Sequence, residues 1–492
     1  MSFRVLGIIT AGLLASVAAA DFVFFLLDPS EASSALLIEG VVDTRNSAQM
    51  LTLRHQKYGE LILPRNQCKW FKAEDPAKKR SNALKAAVKM NDNTLLWKLA
   101  KESIRRGSAG NYFRAAEIIG ETDPDHEEAA RARRLAAMID ASIPESEDEI
   151  DAMKKNSKVT REMKFERSEH FLLMHNLPAS KRVGSKATRA RERLDIMEKV
   201  YKAYLAFFWS RGMELAPPKE RLHIVLFERE DEFKENANEE NPSSASANGY
   251  FDRKKNVSFF YEFRGTPEFR SQKKDVQSLI DVGKERNVAN RGDFVRLGKA
   301  LNVALEIGCE QADVKVCSHE ITHHLSQNTG LMPFNLAIPL WMAEGFATYF
   351  ESPRDAQWSG IGAVNEERLA FYRKARRSNH AHCNVKSIVT DRIWHEAKTK
   401  PEKLNAYSVT WAFTHFLMER HFDRLMLYYK KAAKLPLPKY VHEHEEQLEQ
   451  TFNSCFTPQQ LERLDTLWHA YMTSLKTDFE EIAKDVLFKD GD

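Results

Sequence analysis

The spacing of apolar residues changes along the chain, and each change predicts a different kind of element. Between Ala35 and Trp70 the apolar positions fall into three short runs, 35–42, 49–54 and 59–63, with turn residues between them. Such runs predict strands, so 30–72 is expected to form a small β module. From 81 to 140 the period becomes helical. Leu95, Leu96, Leu99 and Ile104 precede Gly107, then Tyr112, Phe113, Ala116 and Ile119 precede Gly120, and a third apolar stripe runs through 129–138. These predict amphipathic helices forming a helical spacer. Glu145, Glu147, Asp148, Glu149 and Asp151 then stand ahead of Lys154 and Lys155, and 141–164 reads as a charged linker.

The region 165–435 mixes both periods. A short strand is expected at 170–175, and a long helix at 187–209 with Leu194, Met197, Val200, Tyr201, Tyr204 and Leu205 on its apolar side. The run 222–227 has the composition of a buried strand. The stretch 228–248, rich in Asn, Glu and Ser, reads as a loop, and 249–261 as a β-hairpin around a polar turn. Helices are expected at 365–377, 406–421, 424–435 and 458–475, the last inside a C-terminal helical extension over 436–492. The fold class is therefore α+β.

The candidate chemistry lies at 317–351. His319 and His323 are four apart, so on a helix they stack on one face and can offer imidazole nitrogens to one ion, with Glu320 beside it. A catalytic zinc takes three protein ligands and leaves its fourth position to water, so one more donor is required. A helix stop at Asn328, Thr329 and Gly330, and the breakers Pro333 and Pro339, separate this helix from a second one beginning near Trp341. Glu344 on that second helix is the candidate third ligand. Gly345 would let the two backbones approach closely.

The HExxH segment followed by W-x-x-E-G-x-A-x-Y-F-E resembles the gluzincin zinc metallopeptidases, and 341–351 is most similar to their aminopeptidase version. Uncharacterised secreted bacterial proteins with a peptidase-like domain of unknown function share both segments. The likeness covers about 165–430. It implies His319, His323 and Glu344 as zinc ligands and Glu320 as the general base that takes a proton from water and passes it to the leaving amine. Gluzincins place a Tyr or His downstream to donate to the oxyanion, which implies Tyr407 first and His415 second. By the same analogy the hairpin at Gly249 and Tyr250 is the sheet edge to which an extended peptide substrate adds a strand. Two departures stand out. The chain has no G-x-M-E-N segment, the aminopeptidase substrate-edge motif, and Thr348 occupies the position where thermolysin-like enzymes carry the Asp that orients the first histidine. The 81–140 region resembles a single tetratricopeptide-type hairpin, one copy being too few for a solenoid.

The N-terminus changes the picture again. Arg4, the apolar run 5–17 and Ala18-Ala19-Ala20 form the pattern of a secretory signal over 1–20, and the alternative is an uncleaved membrane anchor extending to Leu27. Either reading places the rest outside the cytoplasm. The length of 492 residues implies two or three domains, and 43% hydrophobic with 29% charged residues is an ordinary globular balance. A net charge of +3 gives no reason to expect nucleic acid, and oligomeric state is not legible. Five scattered cysteines define no disulfide framework, and Cys317 is expected in the core. The functional expectation is a secreted or surface-anchored zinc metallopeptidase acting on peptide or protein. The alternative is a catalytically silent surface-binding or scaffold protein on the same fold.

Overall fold

Phe22 to Phe25 are buried because they lie in the middle of a sheet. In this computed structural model β1 (Asp21–Leu26) pairs antiparallel with β2 (Ala35–Val42) on one side and with β5 (Cys68–Lys72) on the other. With β3 (Met50–His55) and β4 (Gly59–Pro64) the order is β4-β3-β2-β1-β5. An interior strand whose side chains are buried on both faces reads as a continuous apolar run, which is why it resembles half of an anchor. Residues 21–26 are hydrogen-bonded strand, not a continuation of an anchor helix, and β2, β3 and β4 are the three strands expected. The described residues are 21–26, 35–43, 49–55, 59–72, 76–179, 187–240, 247–285, 291–333, 338–354, 357–435, 444–477 and 480. The signal reading over 1–20 lies outside them. No described helix is long and apolar enough to cross a membrane.

After α1 (Pro76–Lys89) come α2 (Asn93–Arg105), α3 (Ala109–Thr122) and α4 (Glu127–Ile139). These are not a spacer. They pack on α6 (Arg189–Trp209), and the Arg105 guanidinium forks onto Glu419. The expected charged linker is also structured, as α5 (Glu147–Ser157). Its acids lie in the first turn and its lysines in the last, the charge order that favours a helix, and Met153 buries into the core.

The second sheet comprises β6 (Lys164–Arg167), β7 (Phe171–His175), β8 (Leu222–Phe227), β9 (Gly249–Asp252) and β10 (Val257–Tyr261), in the order β6-β7-β8-β10-β9. The inner pairs β7/β8 and β8/β10 are parallel, and both outer pairs are antiparallel. The expected loop over 228–248 contains α7 (Glu230–Glu240), which buries Phe233 and Ala237 one turn apart against the sheet. One buried aromatic on an otherwise polar helix leaves almost no periodic signal.

Two helices follow, α8 (Pro267–Val282) and α9 (Arg291–Asn328), then α10 (Leu340–Phe350) and a short ladder of β11 (Pro353–Arg354) with β12 (Gln357–Trp358). The remainder is helical: α11 (Glu366–Arg377), α12 (Val385–Val389), α13 (Arg392–His395), α14 (Lys400–Arg420), α15 (Phe422–Ala432), α16 (Glu445–Asn453) and α17 (Pro458–Ser474). No boundary falls at 435. Trp341 of α10 meets Phe452 of α16 at 6.1 Å, and Phe413 of α14 meets Trp468 of α17 at 5.1 Å, so the expected extension closes the core.

The chain divides into two compact units, one of residues up to 92 with 273–305, the other of 93–272 with 306 onward. In the first, Ala300 and Val303 pack against the β1–β4 core. The second unit holds every candidate site residue. Its sheet is covered on one face by α5 and α7 and approached on the other by α9, where His324 stacks on Phe251 at 4.6 Å and bonds Ser258. The class is α+β, as expected.

Candidate metal centre

Helix α9 brings His319 and His323 onto one face, and α10 brings Glu344 to the same point. His323 Nε2 lies 3.1 Å from His319 Nε2, while Glu344 places Oε2 3.2 Å from His319 Nε2 and Oε1 3.5 Å from His323 Nε2. A tetrahedral ion with ligands at about 2.0–2.1 Å requires its donors about 3.3 Å apart, so the two nitrogens, with one Glu344 oxygen near each, have the spacing of ligands to a single ion. His319, His323 and Glu344 are thus the residues that could hold a zinc.

The histidine orienter is Glu351, a residue without an expected role. Its Oε2 lies 2.9 Å from His319 Nδ1, and because an ionised carboxylate only accepts, Nδ1 carries a proton and the ring is turned so that Nε2 faces the cluster. Glu351 Oε1 accepts from Arg368 Nε at 2.9 Å and from Asn365 Nδ2 at 3.1 Å. The sequence held a signal: seven residues after Glu344 is two helical turns, on the same face. Thr348, the position first compared with an orienting Asp, spends its hydroxyl on the Glu344 and Gly345 carbonyls.

Electrostatics follow from the crowding of ionisable groups at this point. Without a metal, burial opposes the charge on His319, but Glu344 and Glu351 more than offset it and push its pKa up to about 10, so a zinc bound at Nε2 would take the place of the proton that Nε2 otherwise shares with Glu344. Burial likewise opposes ionisation of Glu344, yet His323 and His319 hold it well below the usual carboxylate range. Glu351 is brought down to about 2 against burial, chiefly by Arg368 and Lys315. Glu320 differs: burial dominates and raises its pKa, with His319 and His323 pulling the other way. A carboxylate of raised pKa beside a ligand set has the property wanted of a proton-shuttling base.

Tyr407 lies two turns into α14, not at its start, and its ring stands 6.4 Å from that of His319. Trp394 meets it edge-on at 4.7 Å, and the Arg368 guanidinium lies 4.9 Å from its centroid. Glu344, then burial, raises its pKa well above the ordinary value, so it stays a neutral hydroxyl donor beside the ligands. His415 is elsewhere. Its Nε2 faces the Gly362 carbonyl at 3.1 Å and its Nδ1 the Tyr471 hydroxyl at 3.0 Å, so it is a satisfied core residue.

The expected substrate edge divides into backbone and side chain. β9 is one of the two edge strands, and a Cβ on Gly249 would come within 2.9 Å of Val316 on α9, so the strand approaches the metal helix closely because that residue is glycine. The Tyr250 ring instead stacks on Phe259 at 5.0 Å in the core on the other face, leaving only its backbone at the edge. Gly345 does not bring α9 and α10 together as expected; it meets Thr410 and Thr414 of α14. Asp391, also unforeseen, accepts from the Leu340 and Trp341 N–H groups at 2.6 and 2.8 Å and so fixes the start of α10. A second acidic and histidine cluster, Glu169, His170 and Glu198, offers no free nitrogen, since His170 faces Glu198 and the Ile139 carbonyl. All five cysteines are free, and Cys317 is buried as expected.

Residues 313–438 match the family described as a protein of unknown function (DUF1570). The matched segment contains His319, Glu320, His323, Glu344, Glu351, Arg368 and Tyr407, and begins after the two five-stranded sheets. No curated protein and no solved structure matches the chain.

Proposed function

We propose that this protein is a zinc-dependent metallopeptidase of the gluzincin type, secreted or surface-anchored, hydrolysing peptide bonds in peptide or protein substrates. The observation that carries the reading is the convergence of His319, His323 and Glu344 on one point, with Glu320 left outside the set and Glu351 orienting the His319 ring. When bound, zinc would supply Lewis-acid polarisation of the scissile carbonyl and a lowered pKa for water. Glu320 takes the proton of that water on its carboxylate and delivers it to the leaving amine nitrogen. Tyr407 donates its hydroxyl hydrogen to the carbonyl oxygen as negative charge develops there, a role favoured by its neutral state next to Glu344. The Gly249–Asp252 backbone gives an extended substrate an edge to pair with.

The test is metal content joined to cleavage. Purified full-length protein is expected to carry one zinc per chain, to cut unfolded protein, and to stop with a chelator. Glu344→Ala should lose the metal together with the activity. A protein that folds, binds no zinc and cuts nothing would leave the silent scaffold as the correct reading.

A further inference from the structure

Arg368 is 5% exposed, and its Nη1 is buried with no hydrogen-bond partner. An unspent donor on a buried charge is costly, and a well-packed apolar side chain of similar volume is commonly as stable or more so. What the residue touches gives it a use. It sits in the first turn of α11, where the N-cap Asn365 accepts from Arg368 N through Oδ1 and donates through Nδ2 to Glu351. Arg368 Nε donates to the same carboxylate oxygen of Glu351, whose other oxygen meets His319. The guanidinium also lies 4.9 Å from the Tyr407 centroid. Lys315, the other cation near Glu351, is 3.9 Å away and pairs more closely with Glu367 at 2.6 Å, so it does not duplicate this arrangement.

The geometry points to Arg368 as a positioning residue that holds Glu351 against His319 and the Tyr407 ring beside it, fixing one spacing between the ligand set and the hydroxyl donor. This rests on the metallopeptidase reading for its chemical purpose. The hydrogen-bond chain from Arg368 through Glu351 to His319 is independent of that reading. A planar guanidinium can do both jobs at once, an in-plane bond through Nε and a face against a ring, which an ammonium cannot.

The test uses the full chain with Arg368→Met, which keeps an apolar stem of comparable length. Histidine-labelled NMR on metal-free protein reads the His319 Nδ1–H, chelator competition reads zinc affinity, and peptide turnover reads kcat and KM. The expected result has three parts. The His319 Nδ1–H signal shifts or exchanges faster, as in Glu351→Gln, and zinc affinity falls about tenfold. In a Glu351→Gln background the Arg368 substitution has no further effect on zinc. The kcat falls with KM little changed, and falls less when Tyr407 is already Phe. If Arg368→Met does not fold, Arg368→Lys takes its place: it keeps a cation near Tyr407 but cannot place Nε, so it should show the NMR and zinc effects. A folded Arg368 variant whose His319 signal matches the unaltered chain overturns the proposal. With that signal perturbed but no zinc bound even by the unaltered chain, the positioning contact would stand and the metallopeptidase reading would fail.

Discussion

Gly345 of α10 and Thr414 of α14 meet where the two helices cross, one residue from Glu344. A Cβ at Gly345 would collide with Thr414 Oγ1 and lie 2.8 Å from Thr410 Cγ2, and both threonines are buried. A methyl group there forces the helices apart. Overpacking of this kind costs about 1–3 kcal/mol, and here it also displaces the carboxylate next door. Gly345→Ala is expected to lower thermal stability and to weaken zinc binding together. Trimming the obstacle with Thr414→Ser, which keeps Oγ, should rescue neither, whereas Thr414→Ala should rescue both in part. Metal affinity of Gly345→Ala equal to the unaltered protein would show that the crossing does not set Glu344.

Asp391 holds the other end of the same helix. Its two oxygens accept from the N–H groups of Leu340 and Trp341, and its backbone adopts the left-handed conformation at φ 58°. Removing the carboxylate orphans the buried Trp341 N–H and the part-buried Leu340 N–H, and the buried donor alone costs about 1–3 kcal/mol. Asp391→Ala should lower the melting temperature accordingly, while Asp391→Asn, which keeps one acceptor, should lower it less. Chemical denaturation of the two variants separates them, and equal losses would rule out the capping role.

His415 gives a pH signature unrelated to catalysis. Buried and neutral, it is satisfied on both sides by Gly362 and Tyr471, and burial pulls its pKa down from 6.5 to about 4. Between those values the unfolded chain binds the proton and the folded chain does not. Stability therefore falls as pH drops from about 6.5 toward 4. His415→Gln, which cannot ionise, should show a shallower fall over that window when unfolding is measured against pH. An identical slope in both proteins would mean that His415 does not stay neutral in the fold.

Which parts were legible in the sequence follows from which interactions are local. The His319, His323 and Glu344 set depends on helical spacing and one helix-loop-helix, both written in nearby residues. Glu351 is legible in principle at two turns from Glu344, but the likeness to thermolysin-like enzymes points to Thr348, one turn away. Arg368 and Asp391 act on α10 and its surroundings from α11 and from the start of α13, and only the tertiary fold brings them there. The same holds for the architecture. α5 and α7 each bury a small apolar set, around Met153 and Phe233, under a strongly charged exterior, so their sequences read as linker and loop. The helical hairpin reads as a spacer because its attachment passes through Arg105 and Glu419, far apart in sequence.

Tyr407 is expected to act in the reaction and not in metal binding. An oxyanion donor of this kind is worth about 10²–10³ in turnover. Tyr407→Phe should reduce kcat by about that factor, with zinc content and melting temperature unchanged, since no hydroxyl bond is lost to the ligands themselves. Near-normal kcat would remove Tyr407 from the reaction.

Cleavage by Glu320→Gln protein, set beside its metal content, separates the proton acceptor from the ligands. Glu320 lies next to both histidines but outside the donor set, so the amide should leave the ligand set intact while removing the proton acceptor. Mass spectrometry of a diverse peptide mixture should show zinc-dependent products with the unaltered chain and none with Glu320→Gln, both proteins carrying one zinc. Undiminished cleavage by the zinc-loaded variant, or the absence of products from the zinc-loaded unaltered chain, would contradict the account.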